Sequence, residues 1–222
     1  MWSAFAEVMP LAVALALSPF AVVTGVVLLL GERGRPRAAL FGLGWFAGIL
    51  GIASAAFWVV DAAHGADAQE ADDAVEVGKI VLGGIFLALA LLSWRKRPAA
   101  GERPREAKLL DRLSAMSGPA AFGLGLAQGV VVVKNVPLAV GAGVAIGDAN
   151  ATDGEALVLL VLFAVLATGG VIGPLLVSLA GGAWASAKLA DLRIWLEANL
   201  TTITVAILVL LGVLFVIDGA SG

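Results

Sequence analysis

The sequence predicts an all-α integral membrane protein: six transmembrane helices forming two inverted three-helix repeats, with helices 1 and 4 broken. Three observations predict this. The chain is 60% hydrophobic and 14% charged, with a mean hydropathy of +1.00. A soluble domain is about 45–50% apolar and about 25% charged. Six apolar stretches reach the length needed to cross a bilayer, about 17–25 residues. The first and fourth carry helix-breaking residues at corresponding places in the two halves, a pattern that points to a binding site built from discontinuous helices.

The first span runs over Phe5–Leu30. It lacks a basic leader and outruns the about 7–15 apolar residues of a secretory signal, so it reads as a retained helix. Leu17-Ser18-Pro19-Phe20 interrupts it, because Pro19 has no N–H and crowds the carbonyl four residues back. Ala38–Val60 and Val77–Trp94 are the second and third spans. Gly118–Gly147, the fourth, is longer than a straight crossing needs, as a broken or tilted helix would be. Glu155–Ala180 and Trp195–Ile217 complete the set. Residues 1–94 form the first repeat, 95–117 a basic linker and 118–222 the second repeat. Pro98, Gly101 and Pro104 make the linker flexible, and Leu109–Met116 predicts a short interfacial helix. Three spans per half put the halves in opposite orientation.

The loops alternate in charge. Gly31–Arg37, Arg95–Arg112 and Gly182–Leu196 hold twelve of the 14 basic residues. Asp61–Glu76 carries six carboxylates and no Lys or Arg, and Gly147–Glu155 is acidic as well. The positive-inside rule therefore places the basic loops in the cytoplasm and both termini outside, in a plasma (inner) membrane.

Several chemistries find no carrier. There are no cysteines and a single histidine, His64, in the acidic loop. This argues against thiol chemistry, a metal site or a bound cofactor. No paired acids or nucleophile–base set suggest an enzyme, and no basic patch suggests nucleic acid. No carboxylate lies mid-membrane, so a proton relay through Asp or Glu has no candidate.

The strongest candidate site lies in the fourth span, at Lys134-Asn135-Val136-Pro137. A lysine in hydrocarbon costs about 2.5–3.5 kcal/mol even on the lenient insertion scale. Such a residue is tolerated where it lines a cavity or pairs within the protein. Gln128 lies about two turns earlier, near enough to share the face. Ser18, Pro19, Gln128, Lys134, Asn135 and Pro137 are thus the expected substrate-binding set. A polar clamp between helices is the competing reading of the same residues. Breaks at both places start half-helices near Phe20–Ala21 and Leu138–Ala139, whose N–H groups and partial positive charge suit an anion. In the fifth span Gly169, Gly170 and Gly173 are expected packing points and Pro174 a hinge. Glycine pairs at Gly44/Gly48, Gly125/Gly129 and Gly143/Gly147 allow close helix contacts, and glycine-lined surfaces would permit a homodimer.

Met9-Pro10-Leu11, Ala16-Leu17-Ser18-Pro19 and Phe41-Gly42-Leu43-Gly44-Trp45 resemble the opening of the Gap/Sap (peptidoglycolipid-addressing protein) family of the LysE transporter superfamily. The second half agrees: Leu110-Asp111-Arg112-Leu113, Ala121-Phe122-Gly123-Leu124-Gly125, Lys134-Asn135, Gly173-Pro174 and Leu192-Arg193-Ile194-Trp195-Leu196. One departure stands out, since the family pattern reads Asn-Pro-Lys-Asn where this chain has Val132-Val133-Lys134-Asn135. The resemblance implies a small six-span exporter of a cell-envelope lipid or glycolipid. The residues themselves favour a secondary transporter with a small anionic substrate, and what the resemblance implies adds membrane lipids as partners and a lipid as cargo. The alternative is an accessory or scaffold protein of envelope lipid biosynthesis, docking a partner through the basic linker.

Overall fold

The computed structural model describes residues 2–31, 33–63, 68–95, 113, 116–132, 134–149 and 151–221. Within them the chain is helical throughout: α1 (Trp2–Ala16), α2 (Pro19–Leu30), α3 (Gly34–Ala63), α4 (Ala68–Arg95), α5 (Gly118–Val131) and α6 (Asn135–Asp148). The last helical run, Asp153–Ser221, is divided at Gly182, whose φ of 52° and ψ of −136° are not helical. It gives α7 (Asp153–Gly182) and α8 (Trp184–Ile217). That backbone region is open essentially only to glycine. His64 and most of the expected linker, including most of Leu109–Met116, lie outside the described residues.

Helices α3, α7 and α8 are each long and apolar enough to cross a membrane. The pairs α1/α2 and α5/α6 pass the same test together, bent by 55° and 73°. The protein is therefore a multi-pass helical membrane protein. The expected third span falls within α4, whose described apolar stretch, Gly83–Arg95, is shorter than a crossing.

Local chemistry explains both bends. Ser18 precedes a proline, which pushes it out of the helical region, and it adopts φ −74° and ψ 101°. Pro19 then opens α2 at its first position, where its missing N–H costs nothing. At the second bend Val132 is extended, with φ −67° and ψ 113°. Pro137 disturbs the carbonyl four residues before it in any continuous helix, so the chain gives way ahead of Lys134. The second half-helix consequently starts at Asn135, earlier than the Leu138–Ala139 expected, with Pro137 inside its first turn. Proline alone does not make a break. Pro10 and Pro174 sit inside α1 and α7 without ending them. Pro174, the expected hinge, lies within α7, and the non-helical residue of that run is Gly182.

Membrane helices gain little from apolar burial against one another, so close backbone approach matters. α3 shows it along both halves of the second bent pair. A Cβ on Gly44 would collide with the Phe122 carbonyl, and one on Gly125 with the Phe41 carbonyl. Farther along, Gly143 lies against the Ala53 carbonyl. The glycine pairs read as possible dimer surfaces are thus engaged within the chain. The core follows the same helices: Phe41, Trp45 and Ile49 of α3 meet Leu138 and Ile146 of α6 and Phe163 of α7. Beside it α4 packs on α8, with the Phe86 and Phe215 rings 5.8 Å apart.

Candidate functional site

The two bends meet inside the molecule, and the residues of the second supply what the first lacks. α1 ends at Ala16, leaving carbonyls of its last turn without helical partners. Lys134 reaches one of them: its Nζ donates to the Ala14 carbonyl oxygen at 3.3 Å. The lysine is only 5% exposed. A cation at the carbonyl end of a helix is electrostatically favourable. Lys134 also stands at the cap position of α6, and a cation is unfavourable at that end of a helix. The contact with α1 offsets that penalty. Among the described residues its hydrogen-bond partner is this neutral carbonyl, so the positive charge remains uncompensated.

Asn135 closes the second bend. Its Nδ2 donates to the Gln128 carbonyl at 3.0 Å and to the Gly129 carbonyl at 3.4 Å. The amide thereby caps the end of α5 from the first residue of α6. Its backbone N–H donates to the Val132 carbonyl at 2.8 Å. Gln128 then reaches across to the first bent pair, its Nε2 donating to Thr24 Oγ1 at 3.2 Å. Thr24 Oγ1 in turn donates to the Phe20 carbonyl at 2.8 Å. Ser18 and Pro19 are buried at the bend between α1 and α2, and the Ser18 hydroxyl makes no capping bond.

Of the expected binding residues, the structure therefore connects Gln128, Lys134 and Asn135 to one junction and lays Ser18 and Pro19 at its other side. Pro137 acts through the backbone. Of the expected packing glycines, Gly170 touches the junction, since a Cβ there would collide with the Ala16 carbonyl. Gly169 and Gly173 are corrected, because a Cβ at either meets nothing within 4 Å. The contact with the end of α1 is left to Gly170.

Sequence reasoning missed Thr24 and Trp45. Thr24 is the one hydroxyl residue of α2. Its helical back-bond is ordinary, which hides its second role as acceptor for Gln128. Trp45 lies well inside a span, away from the membrane interfaces where tryptophan collects. A buried indole N–H wants a partner, and that was the available signal. Trp45 is fully buried, and its Nε1, like Gln128 Oε1 and Asn135 Oδ1, has no partner among the described residues. No group of three or more His, Cys, Asp or Glu gathers among the described residues.

The family described as Sap, sulfolipid-1-addressing protein, matches residues 8–221. The chain belongs to the Sap family. The match runs across both bent pairs, so the resemblance carried by Ser18-Pro19 and Lys134-Asn135 is borne out at family level. Neither the curated proteins nor the solved structures contain a match. Membership of the Sap family links this membrane protein to lipid addressing.

Proposed function

We propose that the chain is a secondary transporter that exports an anionic cell-envelope lipid or glycolipid, or a small anionic metabolite, by alternating access. The observation carrying this reading is the buried Lys134 ammonium, held between two half-helices by a single carbonyl at 3.3 Å. A buried cation without a countercharge attracts an anion strongly. The N-terminal ends of α2 and α6 add partial positive charge nearby. The family description names a sulfolipid, and a lipid bearing sulfate has the matching charge.

In this reading six spans form two inverted three-span repeats, with bent pairs α1/α2 and α5/α6 in equivalent places and α4 completing the first repeat. The repeats rock about the junction of the bends. Both termini lie outside the plasma membrane, and the basic loops inside. Ser18, Pro19, Gln128, Lys134, Asn135 and Pro137 form the substrate path. Substrate competes with the Ala14 carbonyl for Lys134, so binding releases the end of α1 and couples loading to movement. The protein performs no chemistry on its cargo and works with membrane lipids as its partners. A homodimer would have to use faces other than the glycine seams along α3.

Reconstitution tests this. Vesicles containing the protein should move a labelled anionic lipid between leaflets faster than empty vesicles, and Lys134→Met should lose most of the gain at low cargo concentration. Normal folding with no flux for any anionic lipid or small anion tried would instead favour the scaffold role.

A further inference from the structure

Three buried polar atoms, on α3, α5 and α6, have no hydrogen-bond partner among the described residues: Trp45 Nε1, Gln128 Oε1 and Asn135 Oδ1. Their residues are at least nine-tenths buried, with exposures of 0%, 7% and 0%. Leaving such atoms unpaired costs about 1–3 kcal/mol each.

Each orientation follows from its neighbours. Asn135 must aim its nitrogen at the Gln128 and Gly129 carbonyls, because only that atom donates. The Thr24 proton goes to the Phe20 carbonyl, so Gln128 must present its nitrogen to Thr24 and turn its oxygen away. The indole N–H of Trp45 can only donate. Their backbones converge as well. Asn135 is bonded to the turn of α5 containing Gln128 and Gly129, and a Cβ on Gly129 would lie 3.2 Å from the Trp45 carbonyl oxygen.

The unmet set is therefore one donor and two acceptors. A bare anion would satisfy the indole and leave both amide oxygens unmet. A metal cation would satisfy the oxygens but face the indole hydrogen and the nearby Lys134 charge. A hydroxyl satisfies both kinds, and water, with two protons and free lone pairs, satisfies all three. Buried waters typically make about three such bonds.

We propose that Trp45, Gln128 and Asn135 form a hydroxyl-binding socket, occupied by water in the resting protein. The socket uses the same junction as the transport reading without depending on it. A chain that carries no cargo would still be hydrated here, because the occupant is needed to satisfy the protein's own atoms.

The test uses the full chain in phosphatidylcholine nanodiscs, where the headgroup carries no hydroxyl and water is the available source. Trp45→Phe assigns the indole N–H resonance of Trp45 among the six tryptophans. In the wild type that resonance should show a cross-peak to water and exchange with deuterium within hours. A high-resolution map of the same sample should show density within bonding distance of at least two of the three atoms. An indole signal protected for days with no water cross-peak would overturn the proposal. So would a cross-peak that arises only after adding a hydroxyl-bearing lipid, since the resting occupant would then not be water. Gln128→Met supplies a check that survives poor folding of the tryptophan variant: by lowering the occupancy of the water it should slow exchange of one of the six indole signals, and unchanged exchange of all six counts against the socket.

Discussion

The two bends look alike in outline but differ in how they are held. The bend between α5 and α6 is closed by its own residue, since Asn135 bonds the Gln128 and Gly129 carbonyls. The bend between α1 and α2 has no such closure. Ser18 makes no capping bond, and the end of α1 is met by Lys134 from the other half of the chain. α2 is met by Gln128, again from the other half. One break is self-sufficient and the other depends on it. Two equivalent interruptions thus form one coupled unit, in which a change at the second is felt at the first.

The largest expected effect comes from removing the residue that joins them. Lys134→Met and Lys134→Ala take away both the hold on α1 and the positive charge. A hydrogen bond to a charged group is worth about 1.5–3 kcal/mol, so apparent affinity for an anionic cargo should fall about ten- to a hundredfold. Flux in vesicles at several cargo concentrations measures this. Ser18→Ala probes the dependent break and should weaken affinity less than either lysine variant, because its hydroxyl carries no charge and makes no capping bond. Equal losses at both positions would mean that the breaks contribute alike.

Stability separates the breaks next. Asn135→Leu keeps the bulk but leaves the Gln128 and Gly129 carbonyls without their side-chain donor. Each orphaned buried group costs about 1–3 kcal/mol, so thermal unfolding in detergent should shift clearly downward. Ser18→Ala should leave it nearly unchanged. A stable Asn135→Leu protein would show that the second bend needs no internal closure.

How much of this the sequence disclosed depends on the range of the interaction. Ser18-Pro19 and Lys134-Pro137 announced themselves, because a missing N–H and a charge in hydrocarbon are faults visible within a few residues. The partners were not visible. Lys134 meets Ala14 and Gln128 meets Thr24 across separations of 120 and 104 residues, and no local pattern encodes such pairings. The glycine pairs along α3 and α5 were legible as spacing, but spacing alone did not say whether a second chain or this one filled the seam. Gly182 was hidden among 28 glycines, since nothing local marks it as a residue that adopts a positive φ. Pro174 leaves α7 unbroken, since membrane helices accommodate proline when neighbours satisfy the freed carbonyl.

A third perturbation reaches the dependent break from outside. Gly170 of α7 lies against the Ala16 carbonyl, whereas Gly169 and Gly173 face open space. Gly170→Ala should therefore push α7 off the end of α1 and destabilise by about 1–3 kcal/mol, as overpacking does. Gly169→Ala and Gly173→Ala should be neutral or slightly stabilising, because alanine is the better helix former by about 1 kcal/mol. Thermal unfolding of the three variants ranks them directly. If all three behave alike, contact with α7 has no part in holding the first bend.

The smallest effect gives the cleanest reading of coupling. Thr24→Val, Gln128→Leu and their double variant form a thermodynamic cycle on the bond that links α2 to α5. Interhelical hydrogen bonds in membranes average about 0.6 kcal/mol and reach about 1.7, so the interaction free energy should fall in that range. The cycle matters more than either single value, because each substitution also alters packing and the cycle cancels those costs. Ser18→Ala with Gln128→Leu should be additive, since no bond joins those side chains. Additivity in the first cycle would mean that the bend between α1 and α2 stands without the second, and the asymmetry between the two would then rest on Lys134 alone.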